Sequence, residues 1–227
     1  MYNSLVADAN IPLGQVSPAG AVALQKELAS RVIRSGRCSQ ARYIAGIDVS
    51  FPFGGGEATA AVVVLDYPGL NVVEVSRSRA SASFPYIPGL LSFRELPLAL
   101  KAFDGLKISP DLVIIDGHGV AHPRRMGIAC HFGLYVDMPV IGCAKSRLCG
   151  TYLEPDTIKG SKSSLVEGGE VIGTVLRTRQ DVRPVFVSVG NRIELESAEE
   201  WVSGTCSKYR LPEPVRKAHM AAGLPGA

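Results

Sequence analysis

The chain has 227 residues, 46% hydrophobic and 20% charged, with 24 Lys and Arg against 21 Asp and Glu for a net charge of +3. That size and balance fit one medium α/β domain with a real core and exclude a disordered or highly charged chain. A surplus of three does not by itself announce a nucleic-acid binder. The five cysteines (Cys38, Cys130, Cys143, Cys149, Cys206) form no C-x-x-C pair, which argues against a disulfide framework or a zinc ribbon and fits reduced thiols. Without a signal-peptide pattern or an apolar run near the ~20 residues of a membrane helix, the expectation is a soluble, cytoplasmic protein, monomeric by default.

In chain order, residues 1–19 read as a flexible leader. Apolar residues at Ala21, Leu24, Leu28 and Val32 predict a helix from Ala21 to about Ile33. Three strand-like runs follow, Tyr43 to Phe51, Ala58 to Tyr67 and Asn71 to Ala82. Gly54-Gly55-Gly56 and Pro68-Gly69 separate them, and such short connections imply an antiparallel three-stranded meander. The pattern then changes to helix (Ser92 to Leu106), strand (Leu112 to Asp116), helix (Pro123 to Val136) and strand (Val140 to Ala144). That alternation implies parallel pairing with right-handed crossover. Val171 to Leu176 and Val185 to Val189 read as a hairpin or edge strands, with the polar stretch from Pro155 to Glu170 as a mobile insertion. A capping box at Ser197 to Glu200 starts a helix through about Ser207, and a last helix starts near Pro214. The fold class is α/β. A meander joined to β-α-β units, in one domain over 20–222 with a tail at 223–227, suggests a ribonuclease H-like mixed sheet flanked by helices.

Asp48 interrupts the apolar run Ile44-Ala45-Gly46-Ile47. A charge in mid-strand is costly unless compensated, so Asp48 lies on an exposed face, is a hydrogen-bonded structural group, or is a ligand. Asp116 ends Leu112-Val113-Ile114-Ile115 and precedes Gly117-His118-Gly119, at the strand end where α/β sheets place their sites. Asp-Gly is equally a turn dipeptide. If the first and fourth strands are neighbours, the two acids face each other and a divalent cation would relieve their repulsion. Glu95 could complete the set or merely face the dipole of its helix. His118, His122 and His131 lack zinc-site spacing, and His122 could cap a helix. Lys145, after a strand, is a phosphate contact or a surface charge.

The segment Phe84-Pro85-Tyr86-Ile87-Pro88-Gly89-Leu90-Leu91-Ser92-Phe93-Arg94-Glu95 is more specific. Two prolines stiffen a loop that projects an aromatic ring, which suits a rigid structural loop or a wedge into a base stack. This loop resembles that of the endonuclease V family. So do Ala45-Gly46-Ile47-Asp48, Asp116-Gly117-His118-Gly119, His122-Pro123-Arg124-Arg125, Lys145 through Gly150 and Tyr209-Arg210-Leu211-Pro212-Glu213-Pro214, all in the family's order. The resemblance covers roughly Ile44 to His219.

The resemblance implies a metal-dependent endonuclease of DNA repair. Asp48 and Asp116 would hold Mg²⁺, or Mn²⁺ in its place, with Glu95 completing the acidic site. Lys145 would stand by the scissile phosphate and His219 near it. Pro85, Tyr86, Ile87 and Pro88 would form the strand-separating wedge. Gly89, Leu91, Gly117, Gly127 and Ile128 would line the pocket for an extruded base, and His122 and Arg124 would help bind nucleic acid. The implied substrate is DNA carrying deaminated bases such as hypoxanthine, cut at the second phosphodiester on the 3′ side to leave 3′-hydroxyl and 5′-phosphate ends. Inosine-containing RNA stays open as a second substrate. The rivals are another ribonuclease H-like nuclease, which would not need the wedge, and a non-catalytic nucleic-acid-binding module, which would not need all three acids.

Overall fold

A computed structural model describes residues 16–52 and 56–223, so most of the leader, Gly54 and Gly55 of the glycine turn, and residues 224–227 lie outside the described residues. Among the described residues, eight strands form one sheet in the order β3-β2-β1-β4-β5-β8-β7-β6. The first three, β1 (Tyr43–Ser50), β2 (Glu57–Asp66) and β3 (Val72–Ser81), are the antiparallel meander that the turns predict. β4 (Leu112–Ile115) joins β1 in parallel, and β5 (Val140–Ala144) joins β4 in parallel. This 3-2-1-4-5 arrangement with helices on both faces is the ribonuclease H-like architecture. β8 (Val185–Asn191), β7 (Glu170–Leu176) and β6 (Lys162–Glu167) extend it by antiparallel pairing. Among the described residues no helix is long and apolar enough to cross a membrane.

Among the described residues, five α-helices cover the sheet, α1 (Pro18–Leu28), α2 (Leu91–Asp104), α3 (Ile128–Val136), α4 (Leu195–Gly204) and α5 (Glu213–Gly223). Helix α1 starts three residues before the apolar pattern, because the Ser17 hydroxyl caps the amide of Gly20 and Pro18 suits the first turn. Phe93, Leu96, Leu100 and Phe103 form the buried stripe of α2. All nine residues of α3 are buried, so hydropathy alone gives it no polar face from which to read its limits.

Three expectations need correction. Pro123 to Gly127 is irregular loop, and the helix starts only at Ile128, because this loop bends to line a cavity. The Pro155 to Glu170 stretch is not a mobile insertion. It supplies β6, and Arg177 ties it down by donating to the carbonyls of Pro155 (2.7 Å) and Asp156 (3.0 Å) and to Glu154 (2.9 Å). Arg125 fixes the β6–β7 turn through Glu167 (2.5 Å) and Glu170 (2.7 Å). α4 begins at Leu195 with no side-chain cap, so Ser197 is not a capping residue; its hydroxyl is buried inside the helix.

Helix α5 lies directly on β1. A β-carbon on Gly46 would overlap the backbone carbonyl of Pro214, so only glycine allows this approach. Ala218, Ala221 and Ala222 then pack on Ala61, Val63 and Leu65 of β2. Gly46→Ala should destabilise the protein by ~1–3 kcal/mol, the usual cost of overpacking, as read by urea denaturation. A denaturation midpoint equal to the parent's would contradict this packing.

Candidate active site and base pocket

Register builds the site. The last paired residues of β1 and β4 are Ile47 and Ile115, and the Asp116 amide donates to the Ile47 carbonyl at 3.1 Å. Asp48 and Asp116 each stand one residue further on, so parallel pairing sets the two carboxylates side by side. Helix α5 brings His219 over the same strand, with Nδ1 2.6 Å from Asp48 Oδ2. Ligand atoms of Asp48, Asp116 and His219 all lie within 4.8 Å of one another. From the end of β5, the Lys145 ammonium pairs with Asp116, and Arg210 holds the Lys145 carbonyl at 2.8 Å.

Glu95 approaches from α2 but is not in that three-residue ligand group. The helix begins at Leu91, so Glu95 lies beyond its first turn and the dipole reading falls. Burial pushes its carboxyl up to about 8, reinforced by the charges of Asp48 and Asp116 and opposed by Arg94. Asp116 is also raised, first by burial; the Lys145 hydrogen bond works against that shift and Asp48 adds to it.

Beside the acids lies a cleft of about 260 Å³. Gly89, Leu91, Gly117, Gly127 and Ile128 all line it, and Tyr86, Ile87 and Pro88 stand at its edge. Gly117 follows Asp116 directly, so the cleft and the acidic site share one peptide bond. Tyr86 is 70% exposed, the outward ring that the two prolines predict. Below it, Phe84 packs on Phe93, and Arg94 donates to the Phe84 carbonyl at 3.1 Å, which anchors the loop.

His122 and Arg124 turn inward. Burial lowers the His122 imidazole to about 4, so it is neutral. Its Nδ1 accepts from the Arg124 amide (3.2 Å), which leaves Nε2–H to donate to the Gly89 carbonyl at 2.9 Å. One terminal nitrogen of Arg124 donates to the same carbonyl at 2.7 Å. His131 is buried against Phe93 and Tyr135 and paired with Ser92, and no metal-ligating group among the described residues includes His118, His122 or His131. Gln25 of α1 joins the Gly89 contacts, yet no motif marks it. The available signal was its place in the stripe Ala21, Gln25, Leu28, where an apolar residue is expected.

A ribonuclease H-like sheet with two carboxylates and a lysine at its parallel strand ends, and a histidine laid over them from α5, defines a nuclease of the acidic-site class. Comparison with known sequences narrows the class to one family. The sequence model for endonuclease V matches residues 26–220, and the chain belongs to that family of phosphodiester hydrolases. It is 53% identical over 207 residues to endonuclease V of Dehalococcoides mccartyi, covering 91% of this chain and 93% of that protein. The structure of endonuclease V from Streptomyces avermitilis superposes with a TM-score of 0.87 at 39% identity, covering 97% and 96% of the two chains. Ciona intestinalis endonuclease V, solved in complex with a 23mer DNA containing an inosine followed by a ribo-adenosine, superposes at 0.81 with 29% identity, covering 91% and 97%.

The raised Glu95 carboxyl has a measurable consequence. An acid whose pKa is higher folded than unfolded holds extra protons in the native state, so stability falls as pH rises from about 4.5 to about 8. In EDTA, Glu95→Gln should resist urea better than the parent near pH 8.5 and approach it near pH 5. Parallel pH profiles for the two proteins would assign the slope elsewhere.

Proposed function

We propose that the chain nicks strands carrying deaminated bases, chiefly hypoxanthine, at the second phosphodiester 3′ of the lesion, leaving 3′-hydroxyl and 5′-phosphate ends. The observation that carries this reading is the shared Asp116–Gly117 peptide, which joins an acidic site to a base-sized cleft edged by an exposed tyrosine. An enzyme that reads a base in a pocket and cuts beside it needs these two features at a fixed, short separation. The inosine-containing DNA bound to the Ciona protein supports the choice of lesion.

Asp48 and Asp116 would hold the catalytic cation, with His219 as a third donor beside Asp48 and Glu95 as the acid behind them. Two carboxylates in reach of one ion suit Mg²⁺, with Mn²⁺ as the substitute, since hard oxygen donors favour these ions. When bound, the cation supplies positive charge to the scissile phosphate and lowers the pKa of water. Lys145 places an ammonium where negative charge grows on the phosphate. The attacking water loses a proton and forms the new P–O bond. The bond to the 3′ oxygen breaks, and that oxygen takes up a proton. Pro85, Tyr86, Ile87 and Pro88 present the ring that fills the gap left by the extruded base. Gly89, Leu91, Gly117, Gly127 and Ile128 line the pocket, where a backbone donor would meet the 6-carbonyl of hypoxanthine. His122 and Arg124 act by fixing the wedge loop from inside.

The test uses labelled DNA and RNA strands, each with one inosine, in Mg²⁺ or EDTA, with undamaged controls. Cleavage should require the cation and map to the second phosphodiester 3′ of inosine. Asp48→Asn and Asp116→Asn should each cost at least about 10²-fold in kcat, in line with loss of electrostatic stabilisation at the reacting phosphate. Cutting undiminished in both variants would sink the metal-site assignment, and equal cutting of controls would sink the lesion pocket. Tyr86→Ala should weaken binding to the inosine strand about 5- to 150-fold, the worth of ~1–3 kcal/mol of stacking. Unchanged affinity would remove the wedge.

A further inference from the structure

Gln25 lies on the buried face of α1 with Ala21 and Leu28 and is 1% exposed. A glutamine there destabilises the fold unless its amide is satisfied. Its Nε2 donates to the Gly89 carbonyl at 3.0 Å and to the Met126 carbonyl at 3.0 Å. An amide nitrogen has two hydrogens, so both are used. Its Oε1 accepts from Arg124 Nε at 2.6 Å, which fixes which end of the amide faces which partner.

The two carbonyls belong to different walls of the base cleft. Gly89 closes the wedge loop at a φ of +78°, and Met126 leads into Gly127 and Ile128. One nitrogen therefore ties the two walls together at a fixed separation. The Gly89 carbonyl also receives His122 and Arg124, so three donors converge on an oxygen with two lone pairs. That oxygen has no capacity left for a ligand.

We propose that Gln25 is a positioning residue that sets the width of the base pocket and engages the Met126 carbonyl so that it is not offered to an undamaged adenine, while His122 and Arg124 already fill the Gly89 carbonyl. The inference rests on the pocket reading above. Adenine carries a 6-amino donor, which a free carbonyl in the cleft would welcome. Hypoxanthine carries an acceptor at that position and loses nothing when the Met126 carbonyl is occupied. Discrimination then comes partly from removing a contact that the wrong base could use.

Gln25→Glu keeps the shape and the acceptor toward Arg124 while deleting both donors, and Gln25→Met deletes the polar atoms without adding charge. Both variants are to be compared with the parent in cleavage of an inosine strand with Mg²⁺, and in binding to inosine and matched adenine strands in EDTA. KM should rise about tenfold with kcat changed less than about threefold, and the inosine-over-adenine binding ratio should fall about tenfold. A merely structural glutamine would lower the melting temperature and weaken binding to both strands alike, leaving the ratio intact. An intact ratio in either folded variant overturns the proposal. A parent protein with no preference for inosine overturns the pocket reading first, and this inference with it.

Discussion

Three carboxyl groups, Asp48, Glu95 and Asp116, converge at the ends of adjacent parallel strands, and their repulsion is the constraint around which the site is arranged. The protein answers it only in part. Lys145 pairs with Asp116, and His219 meets Asp48 at 2.6 Å. Arg94 offsets Glu95 weakly, and Glu95 stays raised to about 8. A site left this acidic favours a bound cation over a bare phosphate, which is what metal-assisted phosphodiester hydrolysis requires. The same repulsion dictates the surroundings. Glycine at position 46 lets α5 come close enough to deliver His219, and Arg210 holds the backbone that presents Lys145.

The cleft beside the acids follows a different physical rule, because its walls rely on saturated hydrogen bonds instead of charge. Gly89 is fixed in a left-handed conformation by a buried glutamine, a neutral histidine and an arginine. Such a network is stable only when complete, since an unpaired polar atom in that interior costs ~1–3 kcal/mol. Tyr86 can stand in solvent because the loop beneath it is locked by Phe84, Phe93 and Arg94. Rigidity under the ring would let the exposed aromatic serve as the proposed wedge at low entropic cost.

Where the sequence pattern was periodic, it read correctly. The meander, the strands at 112–115 and 140–144, and the helix carrying Phe93 to Phe103 all follow from alternation, turn glycines and spaced apolar residues. It misread the regions where tertiary contacts override local preference. The Pro123 to Gly127 segment reads as the first turns of the helix that runs to Val136, yet its backbone serves the pocket wall. The polar 155–170 stretch looks unstructured because the residues that order it, Arg125 and Arg177, come from elsewhere in the chain. The resemblance implies that His122 and Arg124 help bind nucleic acid; that both donate to the Gly89 carbonyl is visible only in the folded loop.

By itself the sequence determined the class of chemistry. A carboxylate set into each of two apolar strands, a proline-braced tyrosine and glycines after Asp116 are local facts, and in their order they resemble the endonuclease V family closely. Tertiary structure alone decided how those pieces meet. Whether Asp48 and Asp116 are neighbours depends on β1 pairing with β4, a register between strands more than sixty residues apart. Gln25 reaches the cleft only because α1 packs beneath the wedge loop. Periodicity encodes which face of an element is buried; it does not encode which distant backbone carbonyl will face a buried amide, because that is fixed only when the elements pack.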